Sequence, residues 1–246
     1  MADDKSNAEA QSAPAAKNSD LPVRFVSAVV MLLVAGAALW LGGWWWAGFV
    51  ALLAGGVLWE WNALAKAISS SAFGEIIWLF FGAIYVGGAA LAMVEVRESY
   101  VPLFVLAGFM APIIAVDVGA YFAGRAIGGP KIAPSISPSK TWAGLLGGFL
   151  AASAVAFAVQ YFYPDAGHFG PPTAGGFGLW SALGPLSAGL IIAVLAQIGD
   201  FFESWMKRRA GVKDSGKIIP GHGGLFDRLD GFLAVFFVLA LTRILL

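Results

Sequence analysis

The stretch from Lys213 to Gly231, KDSGKIIPGHGGLFDRLDG, gathers lysines, aspartates, an arginine, a histidine and five glycines into nineteen residues of a chain that is otherwise mostly apolar. Further acids stand where apolar residues surround them: Asp117 in APIIAVDVGAYFAGR and Asp200 in AQIGDFFESWMKRR. Asp227 opens the last apolar run from within GGLFDRLDG. Clustered carboxylates without cysteine suit a hard cation such as Mg2+, which takes oxygen ligands and is often shared with substrate phosphates. Bases suit a polyanion, and SISPSKT (Ser135 to Thr141) places hydroxyls and Lys140 at the start of a helix, where free N–H groups favour anions. KRRAGVKDSGK supplies a second basic cluster, although for Arg208 and Arg209 a place at the membrane edge beside anionic lipid is the preferred account. In PGHGG the glycines permit close backbone approach to a ligand, and His222 between them suits contact with a phosphate or a base. The chemistry implied is phosphoryl or nucleotidyl transfer involving a lipid.

The elements that must position these groups are membrane helices. Of 246 residues, 59% are hydrophobic and only 12% charged, and the mean hydropathy is +0.78. A soluble domain carries roughly 25% charged residues. Apolar runs of about 20 residues recur along the chain, and they do not alternate as the strands of a membrane barrel would. An all-α, polytopic transmembrane bundle is expected, with about seven spans (range six to nine) at roughly 24–42, 44–65, 75–95, 101–125, 141–163, 181–206 and 226–246. Residues 1–20 are polar and Ala/Ser-rich, and read as a disordered cytosolic tail ahead of a single membrane domain over 21–246. The absence of cysteine excludes disulfides and thiolate metal ligands. Gly82, Gly87 and Gly88, and Gly144, Gly147 and Gly148, are expected to let helices approach closely. Trp44, Trp45 and Trp46 are expected at an interfacial aromatic belt.

With the amino terminus in the cytosol, thirteen of the fifteen Lys and Arg residues fall on the cytosolic face, leaving Arg97 and Arg243 outside. Asp117 then sits about 12 Å below Arg125, and Asp200 about 10 Å below Lys207, on helices rising 1.5 Å per residue. The acids therefore converge near the cytosolic end. A carboxylate at that depth persists when it faces a polar cavity, a partner or an ion. For Glu203 and Asp230, simple pairing with a nearby base at the membrane edge stands equally open.

The segment SWMKRRAGVKDSGKIIPGHGGLFDRLD, Ser204 to Asp230, resembles the signature of the phosphatidate cytidylyltransferases, also called CDP-diacylglycerol synthases. Ser204, Lys207, Arg208, Lys213, Asp214, Gly216, His222, Gly223, Gly224, Asp227, Arg228 and Asp230 all fit its spacing. DVGAYFAGRAIGG, SPSKTWAG and GDFFES upstream are similar to family segments too. Ala143 stands where Glu is common, and Ser139 where Lys is frequent. These departures bear on affinity for metal or phosphate, not on the reaction. The resemblance implies transfer of a cytidylyl group from CTP to phosphatidate, giving CDP-diacylglycerol and pyrophosphate, with Mg2+ required. The catalytic set expected is Asp117, Asp200, Asp227, Lys213 and His222, with Asp117, Asp200 and Asp227 as metal ligands. The nucleotide set expected is Ser137, Lys140, Lys207, Arg208, Lys213, Asp214, His222, Gly223, Gly224 and Arg228. CTP, a phosphatidate lipid and the bilayer are the partners, a homodimer stays open, and no nucleic acid is expected. A bacterial inner membrane with a cytosolic active site is the expected location. A CTP-dependent enzyme acting on an isoprenoid lipid is the nearest rival, and an ion-coupled transporter is the rival from another class, though transporter sites lie near the bilayer midplane.

The charge asymmetry makes a topological prediction. Single cysteines placed in the loop from Lys213 to Gly224 should react with a membrane-impermeant thiol reagent only from the cytosolic side, and outward reactivity would overturn the orientation.

Overall fold

The structure is a computed structural model, and it describes residues 20–163, 179–219 and 223–245. The expected tail, but for Asp20, lies outside the described residues, as does His222. Every expected apolar segment carries a helix. These are α1 (Asp20–Leu41), α2 (Gly43–Ile68), α3 (Ala72–Ser99), α4 (Pro102–Val105), α5 (Ala111–Ala126), α6 (Trp142–Phe162), α7 (Leu179–Arg209) and α8 (Phe226–Leu245). A π-helical turn, Leu106–Met110, joins α4 to α5, so that Pro102–Ala126 runs as one apolar rod. Among the described residues, five helices are long and apolar enough to cross a membrane: α2, α3, the α4–α5 rod, α6 and the Ala182–Arg209 part of α7. The chain is a helical, multi-pass membrane protein. The last helix, α8, gives its first turn to Asp227, Arg228 and Asp230.

One small departure from an all-α chain lies beside the site. Lys131–Ala133 (β1) pairs antiparallel with Ser137–Thr141 (β2), so most of SISPSKT is strand and not helix. The hairpin ends where the Thr141 side chain accepts a hydrogen bond from Gly144 N at 3.0 Å, capping α6.

Successive helices reverse direction, and side-chain contacts fix which ends meet. Glu60 near the end of α2, Lys140 before α6, Asp200 and Lys207 late in α7, and Asp227 at the start of α8 share one end. At the other end Arg97 donates to the carbonyls of Leu39, Trp40 and Tyr100, and Arg243 pairs with Glu95. Arg97 and Arg243, the two bases set apart by the charge pattern, thus lie together at the end away from the acids.

Two kinds of packing hold these helices in place. Trp61, 1% exposed, packs against Trp78 and Tyr85 of α3, Phe202 of α7 and Phe226 of α8, and its indole N–H donates to Trp78 O at 2.8 Å. Between α5 and α6, small residues let backbones touch: a Cβ on Gly147 would strike Ala123 and the Gly119 carbonyl, and one on Gly148 would meet Val116 O at 2.9 Å. Gly82 lies against the Trp61 indole and Gly88 against the Phe237 ring, whereas Gly87 faces open space. Of the tryptophan run, Trp44 and Trp45 are exposed, while Trp46 is buried and donates to Met93 O.

Gly147→Val should therefore destabilise the protein by about 1–3 kcal/mol through overpacking, read as a lowered melting temperature in detergent. Gly87→Ala, which meets no neighbour, should leave it unchanged.

Candidate active site

The charged loop between α7 and α8 is a strap folded onto two carboxylates. Glu60 of α2 is 1% exposed and reaches it from below. Its Oε2 accepts from the Ser215 hydroxyl at 3.0 Å and from Phe226 N at 2.8 Å, and its Oε1 accepts from Leu225 N at 3.0 Å. Asp227, in the first turn of α8, binds the same strap from the other side. Its Oδ2 accepts from Ser215 N at 3.0 Å and Gly224 N at 2.9 Å. Its Oδ1 receives Lys207 Nζ at 2.6 Å, and the same ammonium lies 2.5 Å from Glu203 Oε2. A buried carboxylate persists only when paired and hydrogen-bonded, and each of these acids holds partners, with Glu203 Oε1 alone unbonded among their oxygens within the described residues.

The strap's glycines follow from that crowding. Gly223 has φ +86°, and a Cβ there would stand 3.2 Å from Asp227 Oδ2. On Gly216 a Cβ would strike the Glu60 carboxylate, and on Gly224 it would strike the Ser215 hydroxyl and Glu60. The close approach expected of these glycines is thus made to the protein's own acids.

A second charged group lies across α5, β2, α7 and α8. Lys140 Nζ, at the end of β2, lies 2.5 Å from Asp200 Oδ2, and the Ser204 hydroxyl donates to Asp200 Oδ1 at 3.3 Å. Asp117 is accessible on α5, within Coulombic reach of Lys140, Asp200 and Arg228. Asp230 on α8 is within reach of Asp200, Asp117 and Lys140. Of the three acids expected to share a metal, the structure brings Asp117 near Asp200, with Lys140 and Asp230 beside them. Asp227 faces Lys207 and the strap.

The remaining expected residues flank these groups. Arg208 donates through Nε to Ile136 O at 3.4 Å, tying the end of α7 to the hairpin. Ser137 is buried inside that hairpin. Lys213 and Asp214 are exposed at the start of the strap, and Arg228 is exposed on α8. Ser139 is exposed on β2, where its carbonyl accepts from Lys131 Nζ at 3.4 Å, and Ala143 is partly buried in the first turn of α6. Glu60 and Glu203 were not singled out from the sequence as site residues. The criterion that found Asp117 and Asp200, an acid inside an apolar run, applies equally to Glu60 in GGVLWEWNAL.

Among the described residues, no three His, Cys, Asp or Glu side chains gather tightly enough to hold a metal unaided. Mg2+ is usually bound through one or two carboxylates plus waters and substrate phosphates. The donor set, paired aspartates each already facing an ammonium group, suits an ion that arrives with a polyanion.

A family model described as the cytidylyltransferase family matches residues 67–245. The chain belongs to that family. Three relatives are each named phosphatidate cytidylyltransferase. That of Brucella suis biovar 1 (strain 1330) is 39% identical over 158 residues, covering 64% of this chain and 53% of the relative. That of Haemophilus influenzae is 41% identical over 138 residues, covering 56% of this chain and 45% of the relative. That of Rickettsia bellii (strain RML369-C) is 30% identical over 221 residues and covers 88% of both. The chain spans about half the length of the Brucella and Haemophilus relatives. The family match takes in the strap, the hairpin and every charged residue of the site except Glu60.

Lys207 is the one base between Glu203 and Asp227, and all three side chains are at least 88% buried. Lys207→Met should cost about 3–5 kcal/mol, because it leaves two buried carboxylates facing each other. Adding Glu203→Gln should recover part of that loss, as measured by unfolding in detergent.

Proposed function

We propose that this chain transfers the cytidylyl group of CTP to phosphatidate, giving CDP-diacylglycerol and pyrophosphate. A phosphatidate oxygen attacks the α-phosphorus of CTP, and the bond from that phosphorus to the bridging oxygen of the β-phosphate breaks. The attacking oxygen is already anionic near neutral pH, so no strong base is required. The barrier is repulsion between anions together with their positioning.

The reading rests on one juxtaposition. The family-matching segment Ser204–Asp230 folds back on itself through Asp227, beside Asp200 and Lys140 and at the end of the bundle that carries most of the bases. Lys140 and Lys207 neutralise Asp200 and Asp227 in the chain by itself. They are the groups that would pass to the triphosphate and to the departing pyrophosphate. Asp200 and Asp227, with Asp117 beside Asp200, would hold Mg2+. That ion would supply charge neutralisation between the two reacting anions. Lys213, Asp214 and His222 on the strap, Arg208 and Ser137 at the hairpin, and Arg228 would complete the nucleotide contacts.

The orientation belongs to the same proposal. Seven passes, counting α1 and α8, would put the amino terminus and the strap on one side, and the concentration of Lys and Arg at that end supports the cytosolic face of a bacterial inner membrane, where CTP is available.

Purified protein in phosphatidate-containing micelles should release pyrophosphate only when CTP and Mg2+ are both present. Asp200→Asn and Asp227→Asn should each reduce kcat by at least about 100-fold while the protein remains folded. Near-normal turnover in both variants at low Mg2+ would sink the metal role, and wild-type turnover without CTP would sink the reaction.

A further inference from the structure

We propose that Glu60, a residue of α2 outside the span matched by the family model, is a positioning residue for the nucleotide-binding strap. The inference rests on the cytidylyl-transfer reading and assigns a role within it to the amino-terminal helices. Glu60 occupies the amides at the start of α8. Leu225 N and Phe226 N carry the positive end of the helix dipole and would otherwise offer themselves to any anion, yet both donate to this internal carboxylate. A substrate phosphate is thereby directed away from the α8 terminus and toward the lysines around it.

The same carboxylate takes the Ser215 hydroxyl, whose backbone N–H goes to Asp227. Ser215 and Leu225 are thus both fixed by Glu60, ten residues apart along the strap. Within that interval, Ile219 N donates to Gly223 O at 3.0 Å and closes a smaller loop. Clamped at both ends, the strap presents Lys213 and Asp214, both exposed, just ahead of Ser215. The hydrogen-bond partners of Glu60 are Ser215, Leu225 and Phe226. It acts through the backbone that carries Lys213 and Asp214.

The chemistry of the contact requires a carboxylate. Every partner is a donor: one hydroxyl and two amides. Glutamine at this position would turn an NH2 group toward one of them, leaving two donors opposed in a buried space. Gly216 makes the geometry testable, because the three atoms a Cβ there would meet are all in the Glu60 side chain.

The experiment uses the full chain in phosphatidate micelles and compares Glu60→Gln with wild type. A strap that has lost its clamp should raise the KM for CTP by about tenfold or more, with a smaller change in kcat, because Asp200 and Lys140 stay in place. A purely structural role would instead lower the active fraction, reducing apparent kcat at constant KM, and that result would overturn the proposal. Trypsin supplies a reading independent of turnover. Lys213 and Lys217 are exposed on the strap, and cleavage there should accelerate in Glu60→Gln; unchanged cleavage would overturn the tether. Gly216→Ala should mimic the defect in the wild-type background and add little to Glu60→Ala, since its three nearest obstacles are then gone. Additive effects would count against it. Should wild-type protein show no CTP-dependent turnover, the proposed reaction falls, and the trypsin comparison still decides whether Glu60 holds the strap.

Discussion

A carboxylate buried among apolar side chains must be surrounded by donors or cations, and most of the architecture at the charged end of this bundle follows from that requirement. Glu60 is met by the start of α8, Asp227 by the strap and Lys207, and Asp200 by Lys140 from the hairpin. Each acid belongs to one element and its partner to another, so the ion pairs and hydrogen bonds also set the relative heights of α2, α6, α7 and α8. Where two acids share a partner, as Glu203 and Asp227 share Lys207, the local structure is most sensitive to losing it.

Packing below the charges serves the same end. The aromatic cluster around Trp61 begins one residue after Glu60 and includes Phe226, whose N–H the Glu60 carboxylate binds. Apolar contact and hydrogen bond therefore converge on the same short stretch of α8. On the far side, the backbone-to-backbone approach of α5 and α6 brings Asp117 toward the start of α6 and so toward Lys140. Closely packed helices make a stiff frame, and a stiff frame holds charged groups at fixed spacing.

Much of this was legible in the residues because the bilayer leaves few options: hydropathy placed every helix to within a few residues, and Arg97 and Arg243 lie together at the end away from the site's lysines. Asp117, Asp200 and Asp227 were grouped because acids inside apolar runs at similar depth have few other partners; the structure brings the first two near each other, while Asp227 turns to Lys207 and the strap. What escaped was long-range pairing. Helical periodicity says that Glu60 is an acid in an apolar run but not that Ser215, 155 positions away, donates to it. The hairpin escaped for another reason, since SISPSKT contains helix-capping residues that also serve a short strand, and only its pairing with β1 decides between them. The glycines of the strap were read as making room for a ligand, and sequence does not say that Gly223 and Gly224 also stand close to Asp227, Ser215 and Glu60.

The contact between α2 and α8 carries a consequence for how the protein comes into being. Glu60 emerges from the ribosome long before its partners: Ser215 follows 155 residues later and Phe226 follows 166 residues later. At about 5–20 residues per second, the acid waits roughly ten to thirty seconds in a membrane that cannot satisfy it. Until the last helix arrives, the Glu60 carboxylate has none of its three donors, so the contact between α2 and α8 is among the last to close as the chain is made.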